Sequence, residues 1–118
     1  MGIHSVVLDC ANPQRLASFW CEALGYRQAA DADPFVVLVP PSGTGPHFLL
    51  QAVPEPKFSK NRMHVDVEAD DIELEAKRLE GLGARRLIEE PRRLGSVWWI
   101  VMADPEGNEF CVSGETRS

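Results

Sequence analysis

His4 and His64 lie 60 positions apart, and each opens a strand-then-helix segment of the same design. His4-Ser-Val-Val-Leu-Asp-Cys10 runs through Asn12-Pro13 into a helical stretch ending Ala23-Leu24-Gly25-Tyr26. His64-Val-Asp-Val-Glu-Ala69 runs through Asp70-Asp71 into a helical stretch ending Gly81-Leu82-Gly83-Ala84. The parallel extends further along the chain: Gln51 follows His4 by 47 positions, and Cys111 follows His64 by 47. A plan that recurs at half the chain length points to one domain built from two like modules. It also predicts that His4, Gln51, His64 and Cys111 face one common cavity.

At 118 residues the chain can build one core but not two ordinary domains. Within that length, Ile3 to Cys10 is apolar on both parities, the pattern of a strand covered on both faces. Asn12 is placed to cap a helix, Pro13 suits its first turn, and Gly25 suits its left-handed stop. Leu16, Trp20, Ala23 and Leu24 recur at helical spacing, with Trp20 read as helix–sheet core. Tyr26 to Ala30 reads as a short strand, Asp31 to Pro34 as a turn, and Phe35–Val39 and His47–Val53 as strands.

In the second half, parity puts Met63, Val65 and Val67 on one strand face and His64, Asp66 and Glu68 on the other. Asp70 or Asp71 caps a helix whose stripe is Ile72, Ala76, Leu79 and Leu82, with Glu73 and Lys77 forming an i,i+4 pair. Three strands follow, at 85–89, 96–102 and 109–113, the last two joined by the turn residues Asp104-Pro-Glu-Gly-Asn108. The order is β-α-β-β-β written twice, an α+β architecture. Modules 1–53 and 63–114 are joined by a linker at 54–62, in a single domain over 1–118.

Composition excludes several classes of function. A formal net charge of −6 argues against broad nucleic-acid binding, which needs a basic footprint. Arg85, Arg86, Arg92 and Arg93 form a local basic stretch that reads as a solvated edge. The chain carries no basic-then-apolar leader and no apolar run of the roughly 20 residues that span a bilayer. Three cysteines, Cys10, Cys21 and Cys111, make no paired framework and fit a reducing compartment. The expectation is a cytoplasmic protein without membrane or nucleic-acid partners.

Two histidines in matched modules suggest a metal site or an anion-binding cleft. Neutral imidazole ligates first-row transition metals, and a pair of them needs one or two further donors. Cysteine thiolate is a strong soft ligand and glutamine a weak neutral one, so His4, His64, Cys111 and Gln51 would suit zinc better than magnesium. Ordinary structural roles stand beside this reading. Asp66 can satisfy His64, Cys111 can pack as a small buried hydrophobe, and Gln51 can bond a strand edge.

The chain resembles the glyoxalase/bleomycin-resistance group, the vicinal oxygen chelate superfamily, and within it the compact bacterial glyoxalase-like domains. The likeness covers nearly the whole chain. It rests on Ser5-Val-Val-Leu-Asp-Cys-Ala-Asn-Pro13, Leu16-Ala-Ser-Phe-Trp20, Leu24-Gly-Tyr26 and Gln51-Ala-Val-Pro-Glu-Pro-Lys57. Lys60-Asn-Arg-Met-His-Val-Asp66 and Ala103-Asp-Pro-Glu-Gly-Asn-Glu-Phe-Cys-Val112 complete it, the last being the most specific. The resemblance implies paired βαβββ modules forming a cupped mixed sheet with helices outside, the glyoxalase/bleomycin resistance/dihydroxybiphenyl dioxygenase fold. It implies that His4 and His64 occupy first-strand metal-ligand positions, whereas Gln51 and Cys111 fall where metal-dependent glyoxalases carry glutamates. One of those glutamates is the proton-transferring base, which neither Gln nor a neutral thiol replaces well.

The resemblance also implies a small-molecule ligand and a homodimer. The first reading is therefore a small-molecule-binding protein with a degraded or absent metal site. In it His4, Gln51, His64, Trp99 and Cys111 line the pocket, and Trp99 rather than Trp98 faces inward. The second is a metal-dependent lyase, isomerase or dioxygenase-like enzyme using His4 and His64 with a divalent metal, zinc or another first-row ion. The third is an accessory or regulatory domain.

Overall fold

The computed structural model describes residues 3–115 and separates into two units, 1–57 and 58–118. In the first unit, β1 (Ser5–Cys10) leads into α1 (Pro13–Leu24), then β2 (Arg27–Ala32), β3 (Phe35–Val39) and β4 (His47–Ala52). The sheet order is β1-β4-β3-β2, with β1 parallel to β4 and the other pairs antiparallel.

The α1 ends follow local chemistry. Asn12 accepts a hydrogen bond from the Arg15 N–H at 3.1 Å, and Gly25 closes the helix at φ 72°. Without a Cβ, glycine adopts that left-handed conformation at little steric cost. Leu16, Ala17, Phe19 and Trp20 are buried on the helix, and Val36, Leu38, Phe48 and Leu50 are buried on the sheet. Trp20 stands edge-on to Phe19 and 5.1 Å from the Phe48 ring. β1 departs from the two-sided burial its composition predicts: Val7 is 49% exposed and Asp9 is exposed. A single helix covers one face only, so the odd positions of β1 lie on the open side.

The second unit runs β5 (Asp66–Glu68), α2 (Ile72–Gly81), β6 (Arg85–Arg86), β7 (Arg92–Leu94), β8 (Val97–Ala103) and β9 (Glu109–Gly114). Its sheet order is β5-β9-β8-β6, with β7 also pairing β8. Asp71 caps α2 by accepting from the Leu74 N–H at 3.0 Å. Ile72, Ala76 and Leu79 meet the sheet face carrying Ile100, Met102, Phe110 and Val112, all buried. Leu82 sits at the helix cap and is half-buried. Gly114 passes so close to the turn before α2 that an added Cβ would lie 2.2 Å from the Ala69 carbonyl oxygen.

Two expectations for this half are corrected. The strand expected at 85–89 stops at Arg86 and resumes as β7, giving four strands after α2 instead of three. Between the pairs Arg86↔Met102 and Arg92↔Trp99 the outer chain advances six positions and β8 only three, so three residues bulge out. Pro91 lies in the bulge, where a residue without an N–H costs the ladder nothing. Glu73 does not serve the predicted pair with Lys77. Its carboxylate takes two hydrogen bonds from the Arg86 guanidinium, at 2.6 and 3.1 Å. Arg86 also donates to the Ile88 and Glu89 carbonyls, at 2.7 and 2.6 Å, so it clamps the bulge to α2 and is no solvated-edge residue.

Candidate functional site

The face of the second sheet turned away from α2 is built in cross-strand rows. Residues paired across neighbouring strands point the same way. Register therefore sets Glu68, Ser113, Trp99 and Arg92 in one row, and Asp66, Cys111 and Val101 in the next. The turn Asp104–Asn108 holds this register. The buried Asp104 carboxylate accepts from the Glu106 and Asn108 N–H groups, both at 2.9 Å, and from the Asn108 side-chain amide at 3.0 and 3.1 Å. Gly107 supplies the positive φ of 86° that the turn requires.

Over these rows lies a cavity of about 530 Å³. Trp99, Val101, Val97, Ile88 and Leu94 are its apolar lining. Trp98, one residue earlier, points to the opposite face and has the Arg93 guanidinium 5.4 Å from its ring centre. The polar lining is His64, Asp66, Cys111, Glu109, Lys60 and Arg92.

His64, Asp66 and Cys111 form the chemical centre of the cavity, their potential ligand atoms all within 4.8 Å of one another. His64 Nε2 lies 3.2 Å from Asp66 Oδ1. Both of these side chains are substantially exposed, while Cys111 is buried. Burial pushes the Cys111 thiol up to about 11, and the facing Asp66 carboxylate adds to the rise through its charge and a hydrogen bond from the thiol. Lys60 and Arg92 oppose that rise by their charge. The thiol is thus protonated at neutral pH and is no ready nucleophile. A metal ion that displaced the proton would find one imidazole nitrogen, one carboxylate oxygen and one sulfur. That is a donor set zinc accepts.

Glu109 is occupied differently. Its carboxylate accepts from the Asn61 N–H at 2.7 Å, and its backbone carbonyl from the Asn61 side-chain amide at 3.4 Å, which ties the chain before β5 to β9.

His4 and Gln51 belong to the first unit, where the matched spacing of 47 does not translate into matched geometry. Gln51 pairs with Asp9 on β1 and with Phe35 on β3, on the open face with Val7, Val37 and Leu49. His4 precedes β1, five residues short of Asp9, or roughly 16 Å along a strand. Its Nδ1 lies 2.8 Å from Ser5 Oγ, and its ring centre is 4.8 Å from that of His47. In the second unit Cys111 pairs with Asp66, only two residues from His64. Equal spacing in sequence thus joins neighbours in one sheet and distant positions in the other.

Sequence reasoning assigned Asp66 only the role of satisfying His64; its contact with Cys111 depends on cross-strand register, which spacing alone does not reveal. It passed over Lys60, and it placed Arg92 on a solvated edge. The three-residue bulge brings Arg92 opposite Trp99, and no local signal announces that offset.

The model of a family described as glyoxalase-like domain matches residues 5–113. No curated protein sequence matches the chain. Among solved structures, a genomically encoded fosfomycin resistance protein from Listeria monocytogenes superposes with a TM-score of 0.78 at 14% identity, covering 100% of this chain and 98% of its own. A member of the glyoxalase/bleomycin resistance protein/dioxygenase superfamily from Sphaerobacter thermophilus gives 0.74 at 21% identity, covering 97% of each chain. An integron cassette protein from the Halifax Harbour sewage outfall gives 0.73 at 21% identity, covering 96% of this chain and 97% of its own. At such identities these likenesses speak for fold alone.

Proposed function

Because the chain belongs to the glyoxalase-like domain family, we propose that it is a small-molecule-binding protein of that family, with the cavity of the second sheet as its ligand pocket. One observation carries the reading. Trp99 and Val101 share a single cavity with the polar trio His64, Asp66 and Cys111. Apolar walls with a few placed polar groups are the usual make-up of small-molecule sites, and about 530 Å³ lies within their usual size range. Trp99 offers a flat surface for a planar ligand, and His64 and Asp66 offer hydrogen bonds at one end. The three cysteines, none of them in a disulfide, accord with work in the cytoplasm, and no helix among the described residues is long and apolar enough to cross a membrane. A homodimer is part of the proposal on the strength of the family resemblance, and sedimentation would test it.

The enzyme reading also has an observation in its favour, the convergence of His64, Asp66 and Cys111. These three would hold a divalent ion of the zinc type. Such an ion would supply Lewis-acid polarisation of a ligand oxygen. Around it Trp99 and Val101 would orient the apolar part of the substrate and exclude water. His4, the other histidine of this reading, has His47 and Ser5 as its neighbours in the first unit.

Calorimetric titration of a planar ligand separates the two readings when run with and without chelator. Binding that survives chelation supports the pocket. Binding that disappears with the metal transfers the function to the enzyme reading.

A further inference from the structure

The cavity contains two carboxylates, Asp66 and Glu109, and two cationic side chains, Lys60 and Arg92, and they are not equally engaged. Asp66 faces His64 Nε2 at 3.2 Å and stands across the strand pair from Cys111. Glu109 accepts from the Asn61 N–H at 2.7 Å. Both carboxylates are thus engaged within the protein. Lys60 and Arg92 line the same cavity, and among the described residues neither is joined to a carboxylate by an ion pair. Arg92 stands directly across from Trp99 in the β7–β8 pair, so its side chain leaves the sheet on the indole's face.

From this asymmetry we infer that the cavity selects a planar apolar ligand bearing an anionic group, a carboxylate or an oxyanion of similar size. The anion lies toward Arg92 and Lys60, and the flat body lies on Trp99. The inference rests on the pocket reading and names its ligand class.

Physical chemistry favours this arrangement over its alternatives. A ligand cation would have to compete with His64 for Asp66 and with Asn61 for Glu109, and would face two positive side chains. A neutral ligand would take no charge-assisted hydrogen bond from either cation. An anion takes charge-assisted hydrogen bonds from donors that are otherwise turned to water, and guanidinium matches carboxylate geometry with two parallel bonds. The row Ser113–Trp99–Arg92 places cation and aromatic surface side by side, which suits a body and head group joined directly.

Three probes of one shape test the inference: naphthalene-2-carboxylate, naphthalene-2-carboxamide and the naphthalen-2-ylmethylammonium cation. Each is titrated into the whole chain by tryptophan quenching and calorimetry at low and moderate salt. The carboxylate should bind about tenfold more tightly than the amide, the difference between a charge-assisted and a neutral hydrogen bond. The cation should be weakest, and added salt should narrow the spread. Arg92→Gln and Lys60→Gln should each bring the carboxylate-to-amide ratio toward one, with circular dichroism verifying the fold of both variants. Equal binding of all three probes, or preference for the cation, overturns the anion inference while leaving the pocket standing. Failure of all three to bind, in a chain whose fold is verified, overturns both.

Discussion

Asp66 lies directly across from Cys111 in the parallel pair of β5 and β9, and its carboxylate, the thiol and the His64 imidazole all lie within 4.8 Å of one another. This pairing sets the chemistry of the cavity. Burial first, and the Asp66 charge second, favour the protonated thiol, and the same carboxylate lies 3.2 Å from His64 Nε2.

The first prediction concerns that thiol. Alkylation of Cys111, read by peptide mass spectrometry, should stay slow through neutral pH and accelerate only toward about 11. Asp66→Asn removes the facing negative charge and should move the rise to lower pH. A rise already complete at pH 8 in the unaltered chain would refute the assignment. Linkage gives the sign for stability. The folded value lies above the ordinary 9.0, so this group's contribution is fully present below pH 9 and declines as pH climbs toward about 11. Urea titrations across that window should find Asp66→Asn less sensitive to the climb.

Aromatic stacking should matter more to ligand affinity than the imidazole does. Loss of an aromatic pairing costs about 0.5–1.5 kcal/mol beyond the buried area. Trp99→Ala should therefore weaken a planar ligand by more than that, and Trp98→Ala, on the opposite face, should leave affinity nearly unchanged. His64→Ala should cost less, about 0.5–1.5 kcal/mol, if the ring only hydrogen-bonds. The reverse order, with chelator abolishing binding, would place a metal at the centre.

No appreciable glyoxalase I turnover is expected on the methylglyoxal–glutathione adduct, even with nickel or zinc supplied. The two positions where the family resemblance leads one to expect glutamates hold Gln51 and Cys111, which removes the carboxylate base and two anionic donors. Robust metal-stimulated turnover that vanishes in His4→Ala would refute this.

Asp104 anchors the turn that holds β8 and β9 in register. Asp104→Ala strips the acceptor from two backbone N–H groups and the Asn108 amide, in a turn whose Asp104 and Asn108 are buried. Leaving such donors unsatisfied should destabilise the chain by about 2–4 kcal/mol. Denaturant melts of the variant will measure the loss, and a change within 0.5 kcal/mol would show the turn to be held by other means.

Local chemistry in the sequence determined much of this protein. Asn12, Pro13 and Gly25 bound α1, Asp71 starts α2, and Asp104 to Asn108 makes the turn before β9. Each of these acts through its own backbone or a neighbour a few residues away, so each is legible in one dimension. Alternation likewise put His64 and Asp66 on one face, because strand parity has period two. Family membership was legible too, in the run from Ala103 to Val112.

Tertiary structure decided the rest. The 47-residue spacing proposed equivalent partners for both histidines, but pairing register set Gln51 against Asp9 and Cys111 against Asp66. Register depends on which strands meet and where bulges fall, and neither is written in spacing. The bulge ahead of β7 turned Arg92 toward Trp99, while Arg86, expected at a solvated edge, closed on Glu73 across α2. An isolated basic stretch cannot announce which of its side chains will find a carboxylate and which will face a cavity. That choice belongs to long-range contacts, made only when distant segments are brought side by side.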